Sequence, residues 1–341
     1  MNWILALGVG MMILSSCERP MTLGTKVYED GTFDKTIVFE KADSSLVQQN
    51  VFGINAQHGW STSVEERSKQ KKDNKDRFHI TFNKHFNSIE EMNVELNSSS
   101  DTLFQIKSTF ERKFKWFYTY IRYTETFTPI NRFKMLPITD YINKEDFQFI
   151  ERLPSEGSSI SKADSVFLQT LNEKIVDQYA NMAIFNEQYD ILIRLLKKNN
   201  MEEGWFDTLA RKRDYIYNHI DKMKGDPSLA MEMADSLQIP LPREKAKKDA
   251  AELSKDFNSR LSFMGFAKDG KYRNAIDMPW QVVETNADSV SGNKLFWHPV
   301  ATKFLITNYV MYAESRKLNI WTLVVSAIFL VATAFVLLRK R

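Results

Sequence analysis

Residues 103–127 read LFQIKSTFERKFKWFYTYIRYTETF, and this stretch decides the fold class. Phe104, Ile106, Ser108, Phe110, Arg112, Phe114, Trp116, Tyr118 and Tyr120 fall on one parity. Gln105, Lys107, Thr109, Glu111, Lys113 and Lys115 fall on the other. Side chains of a strand alternate between faces, so the spacing predicts a sheet with one aromatic and one charged face. From Phe117 onward the second parity turns apolar as well, through Ile121, Tyr123 and Phe127, which predicts a cover over the outer face there. Large rings in such a stripe ordinarily pack a core; where they line a void they meet an apolar ligand. Phe110, Phe114, Trp116 and Tyr118, together with Trp60, Trp280 and Trp297, are the candidate contacts for that ligand.

Toward the N-terminus, Met21–Lys41 reads as a hairpin around the turn signal Glu29-Asp30-Gly31. Trp60–Glu65 and Arg77–Asn83 make a second strand pair, joined by the solvated run EERSKQKKDNKDR. Ser88 caps a short helix whose first turn holds Glu90 and Glu91, where the helix dipole favours acids.

Toward the C-terminus, Pro129, Pro137 and Pro154 punctuate a linker with one helix over 139–152. A helix beginning at Ser161 or Asp164 and reaching Lys198 follows from Phe167, Leu171, Ile175, Tyr179, Met182, Phe185, Tyr189, Leu192 and Leu196, spaced by three and four. Further helices are predicted over 205–224 and 229–237, and from Pro242 to about Phe266. Strands return at 281–284, 294–297 and 304–314, the last with a helix as its alternative. One sheet begun by 25–127 and completed by 271–315 is the predicted core.

Both ends point at a membrane. Leu318 to Leu338 is 21 residues without a charge, bracketed by Arg316-Lys317 and by Arg339-Lys340-Arg341, with Trp321 near one end. A helix of that length spans roughly 30 Å, the thickness of a bilayer's hydrocarbon core. Residues 3–14 read as the apolar region of an export signal, and Leu14-Ser15-Ser16-Cys17 looks like a lipobox whose cysteine takes a palmitate-type acyl chain. No Lys or Arg precedes Cys17; the alternative is an uncleaved anchor with a chance cysteine. The positive-inside rule places 339–341 in the cytoplasm and 18–316 across the inner membrane from it.

The fold class is therefore α+β: an antiparallel strand-rich domain with a long helical insertion, plus one C-terminal transmembrane helix. Its predicted parts are a signal peptide (1–16), a lipidated tether (17–24), the strand-rich domain (25–127 and 271–315), a linker (128–160), the helical insertion (161–270), the transmembrane helix (318–338) and a basic tail (339–341).

Composition narrows the chemistry. The net charge of +3 over 341 residues, with both signs interspersed, makes no field fit for nucleic acid. The single cysteine excludes an intramolecular disulfide and a thiolate metal cluster. His58, His79, His85, His219 and His298 form no metal-binding pair at helical spacing. No GxSxG, SxxK or phosphate-binding glycine loop is present, so no cofactor, metal or catalytic residue is assigned.

Met278-Pro279-Trp280-Gln281-Val282-Val283-Glu284-Thr285-Asn286-Ala287-Asp288, followed by Gly292-Asn293-Lys294-Leu295-Phe296-Trp297, resembles the LppM-type lipoprotein domain. The layout is similar too: a lipoprotein signal, a hairpin at Asp30-Gly31, a helix start at Phe86–Glu91 and a terminal span with a basic tail. Trp280 stands where that pattern has glycine, and the helices from 160 to 268 have no counterpart in the short form. The resemblance implies an envelope protein with a lipid-binding cavity, and carries over no catalytic residue. The function expected is a non-catalytic binding or scaffold module holding a lipid or an envelope protein partner near the membrane. The alternative is an assembly protein whose helical insertion docks a protein.

Overall fold

The computed structural model describes residues 19–42, 59–67, 77–97, 105–220, 229–268 and 270–339. The signal peptide, Cys17, most of the charged loop after Glu65 and the last two basic residues lie outside these. The chain forms two compact units, one of residues 1–128, 269–304 and 308–341, the other of 129–268 with 305–307.

In the first unit, β1 (Arg19–Val27) and β2 (Phe33–Ala42) make the hairpin that Asp30-Gly31 predicts. Gly31 sits at φ 89°, a conformation that side chains with a Cβ resist. β3 (Ser61–Arg67) pairs with β4 (Arg77–Phe86), and β4 with β2. Ser88 Oγ accepts from Glu91 N (3.1 Å) at the start of α1 (Ile89–Asn97). Asn93 then exchanges two 2.7 Å hydrogen bonds with the Ser108 backbone, seating α1 on β5 (Ile106–Lys115). β5 turns into β6 (Tyr118–Phe127) through Trp116-Phe117 alone.

After the helical unit come β7 (Gly270–Asp277), β8 (Gln281–Thr285), β9 (Ser289–Ser291) and β10 (Lys294–Trp297). Among the described residues the strands form two sheets rather than the single sheet expected. One runs β3-β4-β2-β1-β7-β10-β9. The other runs β5-β6-β11-β8, where β11 is Tyr309–Leu318. All pairs are antiparallel except β1 with β7. The reason is burial: each sheet has one apolar face, and a single open sheet would leave that face uncovered, whereas two buried face to face cover each other. Met21, Leu23, Phe33, Ile37, Tyr272 and Ile276 of one sheet, with Ile106, Ile121, Tyr123, Phe127, Met311 and Ala313 of the other, are all buried. Phe33 meets Tyr123 across the interface with ring centroids 5.5 Å apart. Each of the larger side chains contributes about 1.5–3 kcal/mol by leaving water.

The strand expected over 304–314 starts later. Residues Ala301–Ile306 form a short helix, α8, whose Phe304 packs against Phe127 and Tyr272 (centroids 5.3 and 4.6 Å). Phe304 thus serves the core from a helix, and β11 runs on to Leu318 instead.

The second unit is helical: α2 (Lys144–Arg152), one continuous helix α3 over 162–198, α4 (Glu203–Arg211), α5 (Arg213–His219), α6 (Leu229–Ser236) and α7 (Arg243–Lys268). α3 passes through a π-helical stretch, Glu173–Ala180. Its stripe of Phe185, Leu192, Leu195 and Leu196 packs with Met233, Ala250 and Phe257. The predicted helix over 205–224 breaks at Lys212 into α4 and α5. Within this core, Arg260 and Glu187 form a two-pronged ion pair at 2.8 and 3.1 Å.

The last element, α9 (Ile320–Arg339), is 20 residues long and apolar enough to cross a membrane. Thr322 is its one buried residue among those described.

Candidate functional site at the junction of sheet and apolar helix

β11 passes into α9 through one residue, Asn319. That residue is tied in four directions. Its backbone N–H donates to Phe117 O (2.8 Å) and its Nδ2 to Trp116 O (2.9 Å). Its Oδ1 accepts from Thr119 Oγ1 (2.9 Å), and its carbonyl from Thr322 Oγ1 (2.6 Å). The β5–β6 turn is thereby fastened to the first turn of the apolar helix. Asn319, Thr119 and Thr322 are all buried, so each bond is shielded from competing water.

The turn carries a strained residue. Trp116 has φ 27°, a value disfavoured for a bulky side chain and costing of order 1–3 kcal/mol. A glycine or asparagine would fit this turn without cost, so the tryptophan is held there by its surroundings. Its Nε1 donates to Ser326 Oγ (3.1 Å), its ring meets Trp321 edge-on (5.9 Å), and Phe114 stacks on Trp321 (5.8 Å). These rings remain open to solvent: Phe114 is 54%, Trp116 45% and Phe117 43% exposed. They form an aromatic collar around the start of α9.

The collar corrects the face assignment made from parity. Phe110 pairs with Tyr123 and Phe114 with Thr119, so the odd-numbered residues of β6 share the inner face. Tyr118 and Tyr120 lie on the outer face, opposite Phe110 and Phe114. The two-residue turn at Trp116-Phe117 shifts the alternation by one, which an unbroken strand would not do.

The remaining candidate contacts are dispersed. Trp60 is buried against Phe86 and donates to Glu95. Trp297 is buried in β10 and donates to Asn286 (3.1 Å). Phe110 packs on Phe33 (5.6 Å). Trp280 donates to Glu29 Oε2 (3.2 Å), which also accepts from Lys317 Nζ (3.0 Å). The Lys317 ammonium, then the Trp280 indole, hold the Glu29 carboxyl below its usual range. Of the seven candidates, Phe114 and Trp116 come together, at the α9 end of the sheet.

A polar cluster that parity reading overlooked lies between the sheets. Lys35 Nζ donates to Glu125 Oε1 and Thr25 Oγ1, both at 2.7 Å, with side chains of Lys35 and Glu125 0% and 1% exposed. Tyr123 OH donates to the same carboxylate oxygen at 2.8 Å, and Thr25 does so as well. Burial, then the Glu125 charge, push the Tyr123 hydroxyl well above its ordinary pKa. The signal was present: Lys35 sits between Phe33 and Ile37, and Glu125 between Tyr123 and Phe127, each a charge on an apolar parity. The pair ties the two sheets together through bonds internal to the core.

Among the described residues no group of three His, Cys, Asp or Glu is placed to hold a metal ion. No protein-family model matches the chain, and no curated protein matches it. Among solved structures the chain is similar to the NMR structure of the folded domain of the Mycobacterium tuberculosis LppM protein. The match covers 89% of this chain and 92% of that one at 8% identity, with a TM-score of 0.29. This is a weak structural resemblance, too low to establish a shared fold.

Proposed function

We propose that the chain is a non-catalytic binding or scaffold module of a bacterial envelope, anchored in the inner membrane by α9 and by an acyl chain on Cys17. The strand-rich unit stands on the extracytoplasmic side, and residues 339–341 lie in the cytoplasm. One observation carries this reading: a strand of the sheet continues into a 20-residue apolar helix through a single, fully bonded residue. A flexible tether would keep a soluble domain near a membrane; a bonded junction holds it at a set height and orientation. The basic tail supports the sidedness through the positive-inside rule, and the lipobox-like Leu14-Ser15-Ser16-Cys17 agrees with export.

A second reading, an assembly protein whose helical unit docks an envelope protein, draws on the exposed Val166, Phe167 and Tyr215 of α3 and α5. The two differ in what co-purifies with the full chain from detergent: lipid for the first, a stoichiometric protein for the second.

A reporter active only in the cytoplasm, fused after Arg341, gives signal if the topology is right; a silent but expressed fusion overturns it. Ile328→Arg, at the middle of α9, weakens insertion by about 2.5–3.5 kcal/mol. Metabolic labelling with a clickable fatty acid marks the natural chain and not the Cys17→Ser variant; equal labelling of both would remove Cys17 from the account.

A further inference from the structure

We infer that the tip of the β5–β6 hairpin is itself a membrane-binding element, with Trp116 and Phe117 in the bilayer interface and Lys115 and Arg316 on anionic headgroups. This rests on the reading of α9 as a membrane span. Trp116 bonds to Ser326, six residues into α9, so its ring lies about 9 Å along the helix axis from Ile320. That level lies below the outer end of the span, so the hairpin tip that carries the ring passes through the interfacial zone where aromatic side chains anchor. Phe114, Trp116, Phe117, Trp321 and Leu318 are all exposed and contiguous with the apolar surface of α9, so the same bilayer that covers the helix covers them.

The outer face of the second sheet supplies the charge. Its row nearest α9 holds Lys115, Tyr118 and Leu318, and the next holds Lys113, Tyr120 and Arg316. Arg316 lies over the Tyr118 ring (4.5 Å) and Lys115 over Tyr120 (4.7 Å). Lys113 and Lys317 have acidic partners, Glu111 and Glu29. Lys115 and Arg316 have none among the described residues. Two cations steadied on rings, without a counter-charge and level with the span's outer end, complement the phosphates of an anionic leaflet. The strained turn fits the same role. Tryptophan in place of glycine is disfavoured for the fold and favoured for an interfacial anchor.

The test uses the full chain with Cys17→Ser as background, carrying one nitroxide at Phe117→Cys, Val310→Cys or Phe329→Cys. It is reconstituted in vesicles of phosphatidylcholine with or without phosphatidylglycerol. Accessibility to oxygen and to a water-soluble nickel chelate reports the surroundings of each label. The expected result is a lipid-like signature at Phe329 and an interfacial one at Phe117, with an aqueous signature at Val310, at the far end of β11. Phe117 moves toward water in Lys115→Gln/Arg316→Gln and in vesicles without phosphatidylglycerol. A label at Phe117 as aqueous as Val310, with Phe329 in lipid, overturns the hairpin anchor and leaves the span intact. An aqueous Phe329 overturns the span and the inference together. A Phe117 label in lipid that ignores both charge changes overturns the headgroup contact.

Discussion

Asn319→Ala removes the side chain that fastens the hairpin to α9. Two hydrogen bonds are lost, Nδ2 to Trp116 O and Thr119 Oγ1 to Oδ1, each at 2.9 Å. The backbone bond from Asn319 N to Phe117 O is untouched. A typical bond is worth about 0.5–1.5 kcal/mol net, and a buried partner left unpaired raises the loss toward 1–3 kcal/mol. Thr119 is buried and loses its acceptor, while relaxation of the turn at Trp116 returns part of the cost, so the expected loss is about 2–3 kcal/mol. Asn319→Asp is the sharper variant. It keeps the acceptor for Thr119 but sets a carboxylate oxygen against the Trp116 carbonyl, and is expected to destabilise at least as much as alanine. In Thr119→Val/Asn319→Ala, the second change costs less than it does alone, because the shared bond is already gone. Urea unfolding of the full chain in detergent, followed by tryptophan emission, measures the parent, Asn319→Ala, Asn319→Asp, Thr119→Val and the double variant. An alanine variant within about 0.5 kcal/mol of the parent, with aspartate equally mild, would refute the junction as a fastening.

Lys35→Met leaves Glu125 charged and buried and is expected to cost about 3–5 kcal/mol, whereas Lys35→Met/Glu125→Leu recovers much of it, as read by the same unfolding assay. Gly31→Ala forces a Cβ into a left-handed turn and within 3.3 Å of the Phe110 ring, so a loss of about 1–3 kcal/mol is expected from thermal melts. Glu29 is held low by Lys317, so its contribution is present through neutral pH and lost only as pH falls through its lowered folded-state pKa. Glu29→Gln is therefore expected to remove that acid-limb dependence from a stability–pH profile while changing little at pH values where the parent is already protonated.

Much of this fold is legible in the residues because their local signals agree with one another. Asp30-Gly31 marks the first hairpin, and the three-and-four spacing from Phe167 to Leu196 marks α3 along its length. The apolar run after Leu318 marks α9 with no help from context. What stays hidden follows from a missing signal. The β5–β6 turn has Trp116-Phe117 where glycine or asparagine would announce it, so the alternation reads straight through and puts Tyr118 on the wrong face. The division into two sheets depends on which strands find each other at long range, and parity says nothing of that. Asn319 reads as one more uncharged residue of the span, because its role rests on partners some two hundred positions away, at Trp116 and Thr119. Lys35 and Glu125 read as solvent charges only while each is taken alone.

The bonded junction at Asn319 fixes the strand-rich unit on α9 rather than tethering it. The most direct measurement is the distance distribution between nitroxides at Val310→Cys and Phe329→Cys in the full chain carrying Cys17→Ser, reconstituted in vesicles and read by pulsed electron resonance. A single narrow distribution that broadens in Asn319→Ala is the predicted result. A distribution already broad in the parent, and unchanged by Asn319→Ala, would contradict it.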